Sequence, residues 1–308
     1  MDEKKIEKVI IIGSGPAGSS AALYAARAEL TPLVLTGMTL GGQAALTHTI
    51  ENYPGFPDGV GGADLGTLFQ KQAERFGARY EFDSVASVNL LQKPFQVKTY
   101  NATYLAESVI IATGASSVLL NVPGEAEFTG SGVSYCATCD GWFFKEKKVA
   151  VVGGGDSALE EAIFLTRYVS EVFLVHRRDK FRAGALLQKR VTENPKIKPV
   201  LNSVVKSING DGVVKSVTIQ NVKTGKVDDL VVDGIFVFIG HRPNNDLYKG
   251  QVQIDEKGYI VVDNKMQTNI PGVFAAGEAA DSQFKQVITS AGMGAAAAMS
   301  ASKYLEEK

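Results

Sequence analysis

Apolar residues in this chain come in short runs that stop at glycine. Val9–Ile12 ends at Gly13 and Val149–Val152 at Gly153. Ser108–Ala112 gives way to Thr113-Gly114, Gly234–Ile239 to Gly240 with Pro243 beyond, and Gly272–Ala276 to Gly277. Brief runs rich in β-branched residues read as buried strands, and a glycine at the end of each suits strand ends that face a ligand crevice. Residues 81–107 and 200–232 instead alternate apolar and polar positions, which predicts added antiparallel strands. The Ala/Gly-rich segment Ala291–Ala301, interrupted by Ser300, reads as a buried helix, far short of the ~20 apolar residues a membrane span needs.

The pattern repeats. Lys8–Gly18 realigns position by position with Lys148–Ala158, and each copy runs on through a helical stretch to another apolar strand, Leu33–Leu35 or Val172–Val175. Strand, glycine turn, helix, strand is the opening of a doubly wound dinucleotide-binding unit. The predicted fold is therefore α/β with two Rossmann-like domains, and two copies imply two nucleotides. Chain punctuation near Leu119–Gly124 and His241–Asp246 brackets the second copy. It places one domain (119–245) as an insertion in another (1–118 and 246–308).

Composition narrows the chemistry. Lys and Arg total 32 against 33 Asp and Glu, a net charge of −1, so no electrostatic footprint for nucleic acid or anionic lipid exists. Glycine accounts for 32 of 308 residues, above the usual ~7%, and no low-complexity tract absorbs it. The charged start Met1–Lys8 leads straight into a short strand and lacks a signal-peptide apolar region, so a cytoplasmic location is expected. The two cysteines stand three positions apart, a spacing that reads in a cytosolic chain as a redox pair or half a metal site.

In Gly13-Ser14-Gly15-Pro16-Ala17-Gly18 the first glycine permits the tight turn, the second admits a pyrophosphate against the backbone, and the third lets helix pack on strand. The helix N-terminus adds unpaired N–H groups and partial positive charge. The acidic residue that would bind a ribose about 20 residues on is missing, since Thr36 and Gly37 occupy its place. Gly41-Gly42-Gln43 offers a further exposed turn along which an extended cofactor such as FAD could lie. The second copy, Gly153-Gly154-Gly155-Asp156-Ser157-Ala158, is followed after its second strand by His176-Arg177-Arg178 and by Arg182. Guanidiniums there suit a 2′-phosphate, which points to NADPH.

Cys136-Ala-Thr-Cys139, followed by Asp140, has three readings. Half a zinc site would need two further Cys or His ligands, yet no other Cys exists and His48, His176 and His241 stand singly, so no metal is expected. Two structural cysteines need no such spacing. A redox dithiol uses it, because proximity allows the disulfide and depresses one thiol's pKa. Asp140 is then a candidate acid for a leaving thiolate. A flavin accepts hydride and can reduce a disulfide, so the chain carries every part of a relay.

These motifs make the chain similar to the low-molecular-weight thioredoxin reductases along its whole length. The residues that carry the resemblance are Ser134–Gly141, Thr36-Gly37-Met38, Gly41-Gly42-Gln43, Glu51-Asn52-Tyr53-Pro54-Gly55, His176–Asp179 with Phe181-Arg182-Ala183, and Gly240–Asn244. The resemblance implies a homodimer that reduces thioredoxin, with FAD held by the discontinuous domain and an NADPH domain that rotates. It assigns Cys139 to the flavin side, Cys136 to the attack on the partner, and Asp140 to the acid. It also implies flavin contacts at Asn52, Thr113, Gly114, Gly277, Glu278, Lys285, Gln286 and Val287. Two motifs depart from the family pattern: Gly277-Glu278 stands for Gly-Asp and Phe284-Lys285-Gln286 for Tyr-Arg-Gln, so flavin contacts at Glu278 and Lys285 are expected to shift. Alternative readings keep the relay for a glutaredoxin-like or peroxiredoxin-linked acceptor, or make the protein a non-catalytic flavin redox sensor.

Overall fold

Val9, Ile10, Ile11 and Ile12 are all buried, as a strand covered on both faces demands. In the computed structural model, which describes residues 5–47, 49–50 and 52–308, Val9 and Ile11 face one apolar cluster while Ile10 and Ile12 face another. The expectations that touch Met1–Lys4, His48 and Glu51 lie outside the described residues.

Two units are distinguished: Met1–Ser116 with Arg242–Lys308, and Ser117–His241. The divisions fall at 116/117 and 241/242, where the sequence suggested 118/119 and 245/246. The two chain crossings, Ala115–Ser117 and His241–Pro243, pair as a two-stranded ribbon.

The split unit holds a sheet ordered Arg79–Glu81, Leu33–Leu35, Ile6–Ile12, Thr103–Ile111, Phe95–Thr99, Val85–Asn89, with Val273–Ala275 also paired to Thr103–Ile111. Strand order reverses beside Ile6–Ile12, which creates a topological switch point. Register does the rest. Ile12 lies opposite both Leu35 and Ile111, and Ile111 opposite Ala275. Four strands thus end level, and the next residues (Gly13, Thr36, Ala112 and Ala276) emerge along one sheet edge. Thr103–Ile111 serves two patterns, antiparallel to Phe95–Thr99 at its start and parallel to Val273–Ala275 at its end. The alternation in 81–107 reports only the first.

Alanine allows close helix packing on this sheet. Ala17, Ala21, Ala25 and Ala26 of the helix Pro16–Arg27 share a core with Ala297, Ala298 and Ala301. A Cβ at Gly294 would stand 2.0 Å from the Ala17 carbonyl oxygen, so that contact excludes any side chain. The Ala-rich segment belongs to the helix Val287–Glu306. Among the described residues no helix is long and apolar enough to cross a membrane.

The inserted unit contains a parallel sheet ordered Ile197–Val200, Glu171–Val175, Lys148–Gly153, Gly234–Phe238, Val133–Ser134. Ser203–Asp211, Val213–Asn221 and Val227–Val231 form a separate antiparallel sheet. Val200 is the last residue of the parallel strand and pairs with Val175, so the antiparallel strands expected over 200–232 begin at Ser203. Again register aligns the ends: Val175 lies opposite Val152, Phe238 opposite Gly153, and Phe236 opposite Ser134. The glycine turn, the arginine loop and the cysteine segment therefore leave the sheet at the same edge.

Candidate active site

At the first turn Gly13 has φ +109°, and a Cβ on it would lie 2.3 Å from the Ala112 carbonyl oxygen. A Cβ on Gly18 would lie 1.9 Å from the Gly13 carbonyl oxygen. Gly15, by contrast, is open: a Cβ would meet nothing closer than 3.9 Å. It caps the helix Pro16–Arg27, whose first position is proline. The first N–H groups of a helix have no intrahelical partner. An open glycine at that end is a cradle that fits a pyrophosphate. Buried Ser14 shapes the turn, its hydroxyl 3.3 Å from the carbonyl oxygens of Thr36 and Thr39. The Gly41 N–H donates to the Ser14 carbonyl (3.2 Å), and Gly42 would bring a Cβ within 3.1 Å of Gly15 Cα. Gly41-Gly42-Gln43 is thereby laid against Gly15. Thr36 is buried, its hydroxyl donating to the Gly37 carbonyl (2.8 Å).

The other candidates of this unit gather at the same sheet edge. Gly277 stands over Ala17, where a Cβ would approach the alanine Cβ to 2.8 Å. Burial pushes the Glu278 carboxyl up to about 7; Lys285 opposes that rise and Asp281 adds to it. Gln286 accepts a bond from Asn52 Nδ2 (3.1 Å) and caps the helix that starts at Val287. Asp281 escaped the sequence reading, and Asn244 entered it only among the residues that carry the resemblance. Asp281 accepts the N–H groups of Gln283, Phe284 and Lys285 (2.8, 2.9 and 2.9 Å) and so moulds the loop to Gln286. Its signal was an Asp opening a polar turn. Asn244 bonds the carbonyls of Thr113 through Nδ2 and of Gly114 through its own N–H (both 3.0 Å).

Cys136 and Cys139 form a disulfide with Cα atoms 5.3 Å apart. The pair follows the strand Val133–Ser134 directly, and Cys136 caps the short helix Ala137–Asp140. The Cys139 N–H donates to Cys136 Sγ (3.2 Å), and the same donor can stabilise a Cys136 thiolate once the bond opens. The Ser134 hydroxyl donates to the Asp140 carboxylate (2.6 Å) and accepts from the Cys136 N–H (3.1 Å). Behind the pair, buried Glu125 accepts from the N–H groups of Leu120 and Asn121 and from the Tyr135 hydroxyl (2.8, 2.6 and 3.0 Å). No sequence signal marked Glu125.

Burial raises the Asp140 carboxyl pKa, against the lowering effect of the Ser134 bond. Below the ordinary value of 3.8 the group is protonated in native and unfolded chains alike. As pH rises toward the raised native pKa the unfolded chain ionises first, so native stability is lost with rising pH. Denaturant unfolding of the oxidised protein should therefore show a deficit relative to Asp140→Asn that opens as pH rises above the ordinary carboxyl value. Its size is about 1.4 kcal/mol per unit of upward shift. A pH-independent difference would show an unperturbed carboxyl.

The second turn is built around a histidine. His176 is buried. A Cβ on Gly154 would strike its Nδ1 at 2.2 Å, while Nε2 lies 3.1 Å from the Lys180 carbonyl oxygen. Burial, with the charges of Arg182, Arg177 and Arg178, lowers its pKa. His176 thus packs beneath the glycine turn as a neutral ring. Gly155 is open, its nearest neighbour an Arg182 guanidinium nitrogen 4.0 Å from where a Cβ would sit, and it caps the helix Asp156–Leu165 that carries Ser157. Asp156 Oδ1 accepts the Gly184 N–H (2.8 Å), and the Gly154 carbonyl accepts the Arg182 N–H (2.7 Å). Loop and turn are tied together. Arg177, Arg178 and Arg182 are exposed, and none joins an ion pair among the described residues.

Comparison with known proteins agrees with this geometry. Residues 7–294 match the family described as "Pyridine nucleotide-disulphide oxidoreductase". A thioredoxin reductase of Rickettsia bellii is 50% identical, covering 97% of this chain and 98% of its own length. A bifunctional thioredoxin reductase/thioredoxin of Mycobacterium leprae is 49% identical over 98% of this chain and 66% of its own length. The crystal structure of thioredoxin reductase from Streptococcus pyogenes superposes with a TM-score of 0.95 at 42% identity, over 99% of this chain and all (100%) of that one.

Proposed function

Because the chain belongs to the pyridine nucleotide-disulphide oxidoreductase family, and within it to the thioredoxin reductases, we propose that it reduces the disulfide of thioredoxin at the expense of NADPH, with FAD bound in the split unit and Cys136–Cys139 as its redox pair. The observation that carries the reading is that disulfide, seated beside a shielded carboxyl at the sheet edge that also bears a nucleotide turn. The fusion of both names in the M. leprae relative supports thioredoxin as the partner. FAD fits the first turn because the open Gly15 cradle suits a pyrophosphate, which FMN lacks. NADPH fits the second because unpaired arginines follow its strand. The resemblance adds a homodimer, and a cytoplasmic setting suits a dithiol that must be kept reduced.

A bound flavin accepts hydride from a reduced nicotinamide and passes two electrons to a disulfide. Opening Cys136–Cys139 takes up those electrons and leaves two sulfurs. Cys136, its thiolate held by the Cys139 N–H, attacks one sulfur of the partner's disulfide. The partner's other sulfur leaves with the pair of electrons from that bond and takes a proton from Asp140. Cys139 then attacks Cys136 and restores the disulfide; the second partner sulfur leaves as a thiolate that takes a proton from solvent, and solvent also reprotonates Asp140.

The test is anaerobic NADPH oxidation by the purified protein with thioredoxin as acceptor, together with identification of the flavin released on denaturation. Turnover that depends on thioredoxin, and release of FAD, are expected. Released FMN would overturn the cofactor assignment. Turnover with a glutaredoxin-like or peroxiredoxin acceptor and none with thioredoxin would overturn the partner. Absence of turnover with every disulfide would make the protein a sensor.

A further inference from the structure

Asp179 follows Arg178 directly, so a carboxylate stands one residue from the guanidiniums that await an anion. Its Oδ2 is held by Lys223 Nζ at 3.1 Å. The Lys223 ammonium, with Lys180 adding to it, holds the Asp179 carboxyl below its ordinary value. Lys223 lies in the hairpin between Val213–Asn221 and Val227–Val231, and that hairpin is well fixed. Asn221 Oδ1 accepts the N–H groups of Lys223 and Thr224 (both 3.0 Å), and the Gly225 N–H reaches the Asn221 carbonyl (2.8 Å). Two backbone bonds fasten the tip to the arginine loop: Val222 N–H to the Asn202 carbonyl (2.7 Å) and Asn202 N–H to the Arg178 carbonyl (3.0 Å). Lys226, the other cation of the hairpin, is engaged by Asp228 (2.7 Å).

We propose that Lys223 is a specificity-determining positioning residue, which holds Asp179 away from Arg177 and Arg178 and so keeps those guanidiniums open to a nucleotide 2′-phosphate. The inference rests on the reading of the inserted unit as the NADPH site. An exposed ion pair of this kind contributes little to folding, so removing it should leave the fold intact. Released from Lys223, the Asp179 carboxylate competes for the arginines and repels the phosphate dianion. A nucleotide without a 2′-phosphate meets neither effect.

The experiment is titration calorimetry of the full-length flavoprotein with adenosine 2′,5′-bisphosphate and with 5′-AMP, neither of which can be turned over. Lys223→Ala should weaken the bisphosphate roughly two- to fivefold, the scale of one exposed charge contact, and leave 5′-AMP unchanged. Adding Asp179→Asn should restore bisphosphate affinity, because the competing carboxylate is then gone. Unchanged bisphosphate affinity in Lys223→Ala overturns the proposal. So does a double variant as weak as the single one, since Lys223 would then touch the phosphate itself. The underlying NADPH reading fails separately, and takes the proposal with it, if the unmodified protein binds the bisphosphate no better than 5′-AMP.

Discussion

Replacing either Cys136 or Cys139 with serine is expected to abolish thioredoxin reduction, by roughly three orders of magnitude or more as for other nucleophile knock-outs, while NADPH still bleaches the flavin at an unaltered rate. Hydride transfer uses no sulfur, whereas every later step breaks or makes a bond at one or both of these sulfurs. The two variants should nevertheless differ. In Cys139→Ser the remaining Cys136 retains the position-139 N–H as a donor to its sulfur, since that bond comes from the backbone. It should attack a thioredoxin that carries one activated cysteine and stop there, because nothing can resolve the mixed disulfide. Cys136→Ser should trap far less, having lost the sulfur that this N–H stabilises. Anaerobic stopped-flow absorbance measures the flavin step, and non-reducing electrophoresis measures the trapped complex. If Cys136→Ser still reduced thioredoxin at the normal rate, the dithiol relay would be wrong for this protein. Equal trapping by both variants would remove only the division of labour between the sulfurs.

Features that residue identity alone imposes were legible in the sequence. Gly13, Gly18 and Gly153 sit where a Cβ would collide with backbone or a neighbouring methyl, so glycine at those positions announces the turn without knowledge of the fold. The strand ends were legible for the same reason, because buried β-branched runs must stop where the backbone turns. The Cys136–Cys139 pair was legible because three-residue spacing on a helical turn brings the two Cα atoms to 5.3 Å.

Contacts between residues distant in the chain stayed hidden. Asp281 organises a loop through backbone N–H groups, and Glu125 joins Tyr135 to Leu120 and Asn121. Lys223 reaches Asp179 across 44 positions. Each looks like an ordinary polar residue until the fold supplies its partner. His176 shows the complementary failure. In sequence it belongs to a basic run, yet it is buried beneath Gly154 while the arginines after it are exposed. Composition cannot separate a cation that faces solvent from a neutral ring that packs.

That separation sharpens the expectation for the basic run. Arg177→Ala with Arg178→Ala should collapse the preference for NADPH over NADH, and His176 should take no part in that preference. A charge-assisted hydrogen bond is worth ~1.5–3 kcal/mol, so losing two should lower the ratio of kcat/KM values by about 10²-fold or more. The loss should fall on NADPH, with NADH little changed, because only NADPH carries the 2′-phosphate. The backbone of the arginine loop is pinned by the Arg182 N–H on the Gly154 carbonyl and by Gly184 on Asp156, so the ordering cost of binding falls on the exposed arginine side chains. Steady-state kinetics with both nucleotides at low and raised salt measures the ratio. Exposed arginines should make it fall as salt rises. If the unmodified enzyme used NADH and NADPH with equal kcat/KM, the three arginines would be a solvated run, and the second site would not discriminate the 2′-phosphate.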